Sequence, residues 1–388
     1  MGLREEIFED RPRRKSIISK RALAKMIIVT VILIAVAFFA VFLYRNLHYE
    51  EYKVVLSKES SDTSARYEEF NGRMLSYSPN GVSLLNEKLE SIWNYPFSYS
   101  SPEIEITGDN FIVFDKGSTG VSLFNENGNT GSFTAPAAII RAKSSDNDCA
   151  ALLMYDGNEF SAGYYDCSGN LLAKADISFE EQGVPSDVEI SADGKCMAVS
   201  LESVAESGIE TKIMFCRFGN SENEEIYYSE TYQDSVTAGL ISGENNNFAA
   251  LTDTGFNVYG SGKELKLIRR VEVEAPVLSA FYNEKYIGFV VQNNNDESFY
   301  KILLYNYTGR KVSEIDFGLN YSDISINDKS IVIFNKTEYE MYSINGIKRL
   351  QGTISEGSVN NIFRVRKNKY FVSADNLIEF IRGSGLTL

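Results

Sequence analysis

One pattern recurs along this chain at a spacing near forty residues. It consists of an apolar strand, a polar turn, a second strand ending on an aromatic, and a glycine four residues later. It reads FIVFDKGSTGVSLFNENG to Gly128, CAALLMYDGNEFSAGYYDCSG to Gly169 and CMAVSLESVAESGIETKIMFCRFG to Gly219. It returns as IGFVVQNNNDESFYKILLYNYTG to Gly309 and IVIFNKTEYEMYSING to Gly346. The aromatics are Phe124, Tyr165, Phe215, Tyr305 and Tyr342, and looser copies are MLSYSPNGVSLLNEK, FAALTDTGFNVYGSG and YFVSADNLIEFIRG. The glycine has a physical reason, because a tight turn between antiparallel strands needs a residue at positive φ.

Short apolar runs separated by Asn, Asp and Gly, with seven prolines in the whole chain, predict an all-β domain. A unit of about forty residues holds about four strands and cannot cover both of its apolar faces alone. Packing unit against unit around an axis does so, which is the logic of a β-propeller. From Arg66 on there are about 320 residues, enough for eight blades of about forty, with seven as the next choice. Stacked β-sandwich modules fit less well, because the repeats are too short and too continuous. The last copy supplies only three strands, and Lys53–Ser57 is the candidate for the missing fourth.

The segment Met26–Tyr44 has nineteen uncharged positions with only Thr30 as a polar interruption. As a helix it reaches about 28 Å, matching the hydrocarbon core of a bilayer. Before it lie eight basic and four acidic residues, and excess Lys and Arg flanking a first span stays cytoplasmic. Ala35-Val36-Ala37 offers a signal-peptidase-like site, but the apolar run continues to Tyr44, which favours an uncleaved signal-anchor. The expected organisation is a cytoplasmic basic tail (1–25), a transmembrane helix (26–44), a stalk (45–66) and an extracytoplasmic propeller (67–388). The tail's charge also suits anionic inner-leaflet lipid. The rest of the chain is strongly acidic, so it repels phosphate backbones, and nucleic acid is excluded as a partner.

Ser191-Ala192-Asp193-Gly194-Lys195, followed by CMAVS, resembles the S-x-D-G-K turn of TolB-like and WD-repeat-like propellers. Leu89–Trp93 (LESIW) resembles the tryptophan-ended strand of quinoprotein (PQQ-like) repeats. With the basic tail and single span, the chain resembles a family of bacterial membrane-anchored propellers of unknown function. Trp93 is the only tryptophan, so the docking pattern of true quinoproteins is missing and no quinone cofactor is implied. The resemblance supplies no catalytic residues.

Composition removes much chemistry. The one histidine, His48, lies just beyond the span, so no Ser-His-Asp, Cys-His or histidine metal site can form in residues 67–388. Asp146-Asn147-Asp148 and Asn125–Asn129 echo calcium loops without completing one, and read as polar turns. No metal, cofactor or catalytic residue is assigned. Cys149 and Cys167 flank one hairpin almost symmetrically, and Cys196 and Cys216 flank another. Two cross-strand disulfides or four buried thiols both fit, since a register slip of one residue would place a pair on opposite faces.

The leading functional expectation is a non-enzymatic, membrane-tethered module of the cell envelope that binds a protein or a cell-wall glycan. A sensor signalling through the single helix to a recruited cytoplasmic partner is the alternative. A carboxylate-dependent hydrolase stands third, and would show carboxyl groups converging on the central channel with raised pKa values.

Overall fold

Residues Lys20–Asn46 form one α-helix of 27 residues. Its stretch Leu23–Leu43 has a mean hydropathy of 3.2, is apolar on every side, and is long enough to cross a membrane. The hydroxyl of Thr30 donates to the Met26 carbonyl at 2.9 Å, which hides the one polar group of the run. The computed structural model describes residues 20–387 except 47, 61, 179–181, 206–207, 218–225, 234–235, 261–264, 296–297, 328, 355–356, 367 and 376. Gly219 and residues 1–19 of the tail lie outside the described residues. The chain divides into two units, residues 1–47 with 388, and His48–Thr387.

The second unit is an eight-bladed propeller. Seven blades are four consecutive antiparallel strands each, spanning residues 66–96, 102–134, 138–177, 184–233, 237–272, 277–317 and 323–353. The eighth takes three strands from residues 359–387 and its fourth, outermost strand from His48–Glu59. That strand runs antiparallel to Leu377–Thr387 from His48↔Thr387 to Glu59↔Leu377. It also touches the outer strand of blade 7 in parallel at Tyr49↔Leu350, so blades 7 and 8 form one eight-stranded sheet. The candidate fourth strand Lys53–Ser57 lies within this longer strand. The strand begins at His48, and twelve of the residues read as stalk belong to the propeller. His48 sits in that strand with Nε2 3.6 Å from Glu50.

Burial explains the sequence pattern strand by strand. The second strands, Asn110–Asp115, Phe248–Thr252 and Ser330–Phe334, are buried at every position, because each is covered by a blade on either side. They therefore read as continuous apolar runs. Outer strands such as Ser91–Pro96 and Lys266–Glu272 are largely exposed and mix polar with apolar residues. The core is eight apolar clusters, each shared by two neighbouring blades. Phe70, Tyr77, Phe111 and Phe124 join blades 1 and 2, and Tyr67, Met74, Phe371 and Phe380 join blades 1 and 8. Trp93 stacks across the first of these interfaces on Phe124 at 5.8 Å. Its indole N–H donates to the Glu126 carbonyl at 3.1 Å.

The repeated aromatic and glycine form one device. Phe124, Tyr165, Phe215, Tyr305 and Tyr342 each mark a register shift between the third and fourth strands of their blades. Gly128, Gly169, Gly309 and Gly346 follow with φ between 72° and 124°. An Asx side chain completes the turn, as where the Asp166 carboxylate accepts from the Ser168 and Asn170 amides at 2.9 Å. In blade 1 Leu89 takes this position at φ 62° without a glycine.

The four cysteines are free thiols. Cys196 faces Arg217 and Cys216 faces Met197, a slip of one residue that sends the two thiols to opposite faces of the sheet. Cys149 packs into the interface of blades 3 and 4, and Cys167 into that of blades 2 and 3. Burial pushes the Cys196 thiol up to about 12, so it is inert.

If the first strand closes the ring, a fragment from residue 48 melts as one cooperative unit by circular dichroism. A fragment from residue 61 is expected to melt at least about 10 °C lower or to aggregate through its open edge. Equal melting temperatures would show that closure does not depend on this strand.

Candidate functional site

The first strand of each blade lines the central channel, and several of these strands carry a charged residue inside an otherwise apolar stretch. Glu68 comes from blade 1 (Arg66–Phe70) and Glu105 from blade 2 (Pro102–Thr107). Lys143 comes from blade 3 (Ala138–Ser144), and Asp187 and Glu189 from blade 4 (Val184–Ile190). Tyr282 and Asp323 come from blades 6 and 7 (Val277–Tyr282 and Asp323–Asn327). A strand exposes alternate residues to its two faces, so a charge every second place toward the axis leaves the opposite face free to pack.

Lys143 is the centre of this group. It is buried, and its ammonium lies 2.8 Å from a carboxylate oxygen of Glu105 and 3.9 Å from one of Glu189. Burial pulls the ammonium down, but Glu105, Tyr282 and Glu189 outweigh it and hold Lys143 well above its ordinary value. Glu189 is also buried and accepts the Ile190 amide at 2.8 Å. Desolvation exceeds the help of Lys143, so its carboxyl is pushed up to about 8. Asp187 accepts the amides of Leu240 at 2.8 Å and Val188 at 2.9 Å, and burial raises it as well. Glu68 is pushed up to about 7 by burial and by the like charges of Asp323 and Glu105. Three carboxyl groups raised by burial, Glu68, Asp187 and Glu189, thus belong to the inner strands.

The turns between first and second strands are tied to one another from blade 1 to blade 6. The Asn71 amide donates to Asp109 at 3.0 Å, Asn110 to the Ser145 carbonyl at 3.1 Å, and the Asp146 amide to the Ala192 carbonyl at 3.0 Å. The S-x-D-G-K turn is one link. Its Asp193 amide donates to Asn246 at 2.8 Å, and its Ser191 hydroxyl bonds Asp193 at 2.8 Å. The Glu244 amide then donates to the Glu284 carbonyl at 3.0 Å. Glu284 also accepts the Gly108 amide at 3.1 Å, a bond from blade 2 to blade 6. Those blades are four apart in a ring of eight, so this bond crosses the axis and narrows the channel at that end. A cavity of about 1120 Å³ remains, lined mostly by blades 1, 2, 6, 7 and 8, with Lys143 and Glu189 at its far wall. Asn361 and Asn327 seal its side by donating to the carbonyls of Tyr67 at 2.8 Å and Arg364 at 2.9 Å.

Sequence reasoning assigned no residue here and missed this group. A signal existed, since IEI and DVEI each set a charge between apolar neighbours in a strand. What it lacked was the knowledge of which strand of each unit is innermost. Among the described residues no group of His, Cys, Asp or Glu has the arrangement of a metal site.

The sequence matches a family described only as a family of unknown function, DUF5711, over residues 45–382. The chain belongs to this family. The match begins at the closing strand and ends inside the strand that it pairs with, so the DUF5711 unit is the closed ring. No curated protein matches the sequence. Among solved structures, a eukaryotic initiation factor matches with 12% identity over 84% of each chain and a TM-score of 0.51. AztD from Citrobacter koseri matches with 13% identity over 83% of this chain and 89% of its own, at 0.50. BamB from Moraxella catarrhalis matches with 11% identity over 86% and 100%, at 0.48. At such identities the first two speak for the fold alone.

Removing Lys143 leaves the buried Glu189 and the half-buried Glu105 without their cation. Lys143→Ala is expected to cost about 3–5 kcal/mol in urea unfolding, and Lys143→Met combined with Glu189→Gln to recover most of it. Glu68 and Glu189 are raised above their ordinary 4.5, so the folded state holds protons that the unfolded state has lost. Stability from these groups therefore falls as pH rises from about 4.5 through 7 and 8. In thermal scans Glu68→Gln should raise the melting temperature by about 2 °C at pH 8 and leave it unchanged at pH 4.5.

Proposed function

We propose that this DUF5711 protein is a membrane-tethered propeller displayed outside the cytoplasmic membrane, where it serves as a non-enzymatic binding module of the cell envelope. The observation that carries this reading is the use of the chain. One apolar helix of membrane-crossing length is followed at His48 by the strand that closes a single ring, and the matched family is that ring. The basic residues ahead of the helix favour an inside N-terminus and place the propeller outside. Rigid turns on two faces then serve recognition of a protein or of a cell-wall glycan.

The channel gives a second reading its one support. Glu68 faces the cavity with its carboxyl raised to about 7, as the acid of a glycan hydrolase would be. Against it, Glu105, Asp187 and Glu189 are engaged by Lys143 or backbone amides, which suits a structural network better than a free nucleophile or base.

Chemical crosslinking of the intact protein in its native membrane separates these readings. The module predicts one or a few envelope proteins, or cell-wall polymer, captured in stoichiometric amount, and protease added outside the cell digests the propeller. Release of sugar from cell-wall glycan by the purified propeller, abolished in Glu68→Gln, would replace it with the hydrolase. A propeller shielded from external protease would overturn the placement.

A further inference from the structure

The turns between second and third strands all lie on the face opposite the tied turns, and they differ greatly in height. In blade 5 Thr252 pairs with Gly255 and the hairpin ends at once. In blade 4 the strands Cys196–Ala205 and Gly208–Arg217 run ten residues each, against five for Phe248–Thr252. Their neighbours stop short. The first strand reaches only Val184↔Glu202 and the fourth only Glu210↔Gln233, so, among the described residues, 203–205 and 208–209 have ladder partners only in each other. The hairpin of blade 6 behaves likewise, since its flanking pairs end at Val277↔Val291 and Tyr300↔Phe317. Two tall hairpins thus flank a low blade.

Each carries exposed apolar side chains beside its turn. Val204 is 88% exposed and pairs across the hairpin with Ile209, itself 46% exposed. Phe299, on the hairpin of blade 6, is 57% exposed. Val184, Val236 and Leu278, at the starts of the inner strands of blades 4, 5 and 6, are exposed at the channel mouth of the same face. A crevice of about 260 Å³ lies at the base of the low blade, between Tyr232 and Gln233 on one side and Thr252 and Arg270 on the other. Fifty to ninety per cent exposure of large apolar side chains on free-standing hairpins has no use within the fold. The charge around them is mostly negative, with Lys212, Arg270 and Lys301 among the cations of these strands. Glu202, Glu210, Asp253, Glu272 and Glu274 rim the saddle, while Arg270 is drawn to Glu230 at 3.5 Å.

We infer that this saddle of blades 4 to 6 docks a polypeptide segment of another envelope protein, one with apolar side chains flanked by Lys and Arg. The acidic rim chooses the partner's charge and repels anionic lipid. The exposed apolar side chains supply the anchors, and the strand edges past the last flanking pairs offer backbone pairing to an extended segment. This inference rests on the binding-module reading above and adds to it the surface and the partner's chemistry.

The test uses the full chain in its own membrane with a photoreactive amino acid at Val204 or Phe299, and at Asn127 or Ser168 on the opposite face as controls. The expected result is an adduct from the first two positions with one protein, mapped to a Lys- and Arg-rich amphipathic peptide, and lost from position 299 when Val204→Asp is added. A synthetic Leu/Lys amphipathic peptide should bind the detergent-solubilised full chain, weakening about tenfold in Val204→Asp or Phe299→Asp and at high salt. A Leu/Glu peptide that binds equally well would overturn the charge argument. Adducts with lipid, or with a second copy of this chain, would overturn the assigned partner. Adducts only from Asn127 and Ser168 would overturn the surface while leaving the module reading intact, and adducts from none of the four would sink both. Because Val204 and Phe299 stand outside the eight core clusters, their variants should keep the wild-type melting temperature, which separates lost docking from lost fold.

Discussion

The pairing of His48–Glu59 with Leu377–Thr387 is the contact on which the rest of the propeller depends. It joins the two ends of a ring of about 330 residues, and tethering ends that far apart in sequence costs about 5 kcal/mol in chain entropy. Ten paired positions repay this, at about 0.5–1.5 kcal/mol of net stabilisation per hydrogen bond, before any apolar burial is counted. Tyr49 and Tyr52 from the same strand pack against the interface of blades 7 and 8, and Leu56 against that of blades 8 and 1. A blade cannot bury its second face until its neighbour is in place, so opening this one seam exposes two of the eight clusters. The parallel contact at Leu350 spreads the seam over a second blade. Closure by a strand from the other end of the chain also leaves the last blade without an open outer edge there.

At the axis the same geometry creates the opposite problem. Inner strands converge, their channel side is too polar to pack dry, and buried charges placed there must find one another. Lys143 between Glu105 and Glu189 is one solution, with the ammonium holding two carboxylates from the blades on either side. Such a triad adds little net stability over an apolar core, but it penalises any shift in the order or tilt of blades 2 to 4. Glu68 is raised by burial and by its acidic neighbours, an effect that Arg66 offsets only in part. The Gly108–Glu284 bond across the axis works toward the same end, fixing blade 2 against blade 6.

Much of this was legible in the sequence, because the strongest constraints are local. A strand covered on both faces must be apolar throughout, as FIVF and FAAL are, and a turn with a bulge needs Asx and a residue at positive φ. Those demands recur once per blade, and they gave the repeat, the blade count and the missing fourth strand. Register and depth were not legible. The cysteines at 196 and 216 differ from a facing pair by one position, and nothing local fixes a hairpin register so finely when its turn is long. Residues 45–66 are polar because the closing strand is an outer one with an exposed face, which reads as a stalk. The channel charges were missed because their meaning depends on which strand is innermost, a property of the closed ring and of no single unit.

The repeat also explains where difference can accumulate. Positions shared by two blades are held by packing on both sides, and the tied turns on one face are held by their neighbours. The turns between second and third strands on the other face are held at fewer places; those of blades 2 and 7 bond the next blade, where Ser118 accepts from Ile139 and Lys336 from Val359, but no such bond ties the hairpins of blades 4 and 5 among the described residues. Blade 5 makes this turn with the two residues Asp253 and Thr254, whereas blade 4 extends its strands by several residues past the last flanking pair. A longer hairpin costs the fold little, because its added residues pair with each other and leave the core unchanged. Exposed valine, isoleucine and phenylalanine beside those turns do carry a cost in solubility, which an acidic rim offsets by repulsion between copies. The two ends of the ring are thus unequally constrained, one tied from blade 1 to blade 6 and one tied only at some blades, and the exposed apolar side chains lie where the second is least tied.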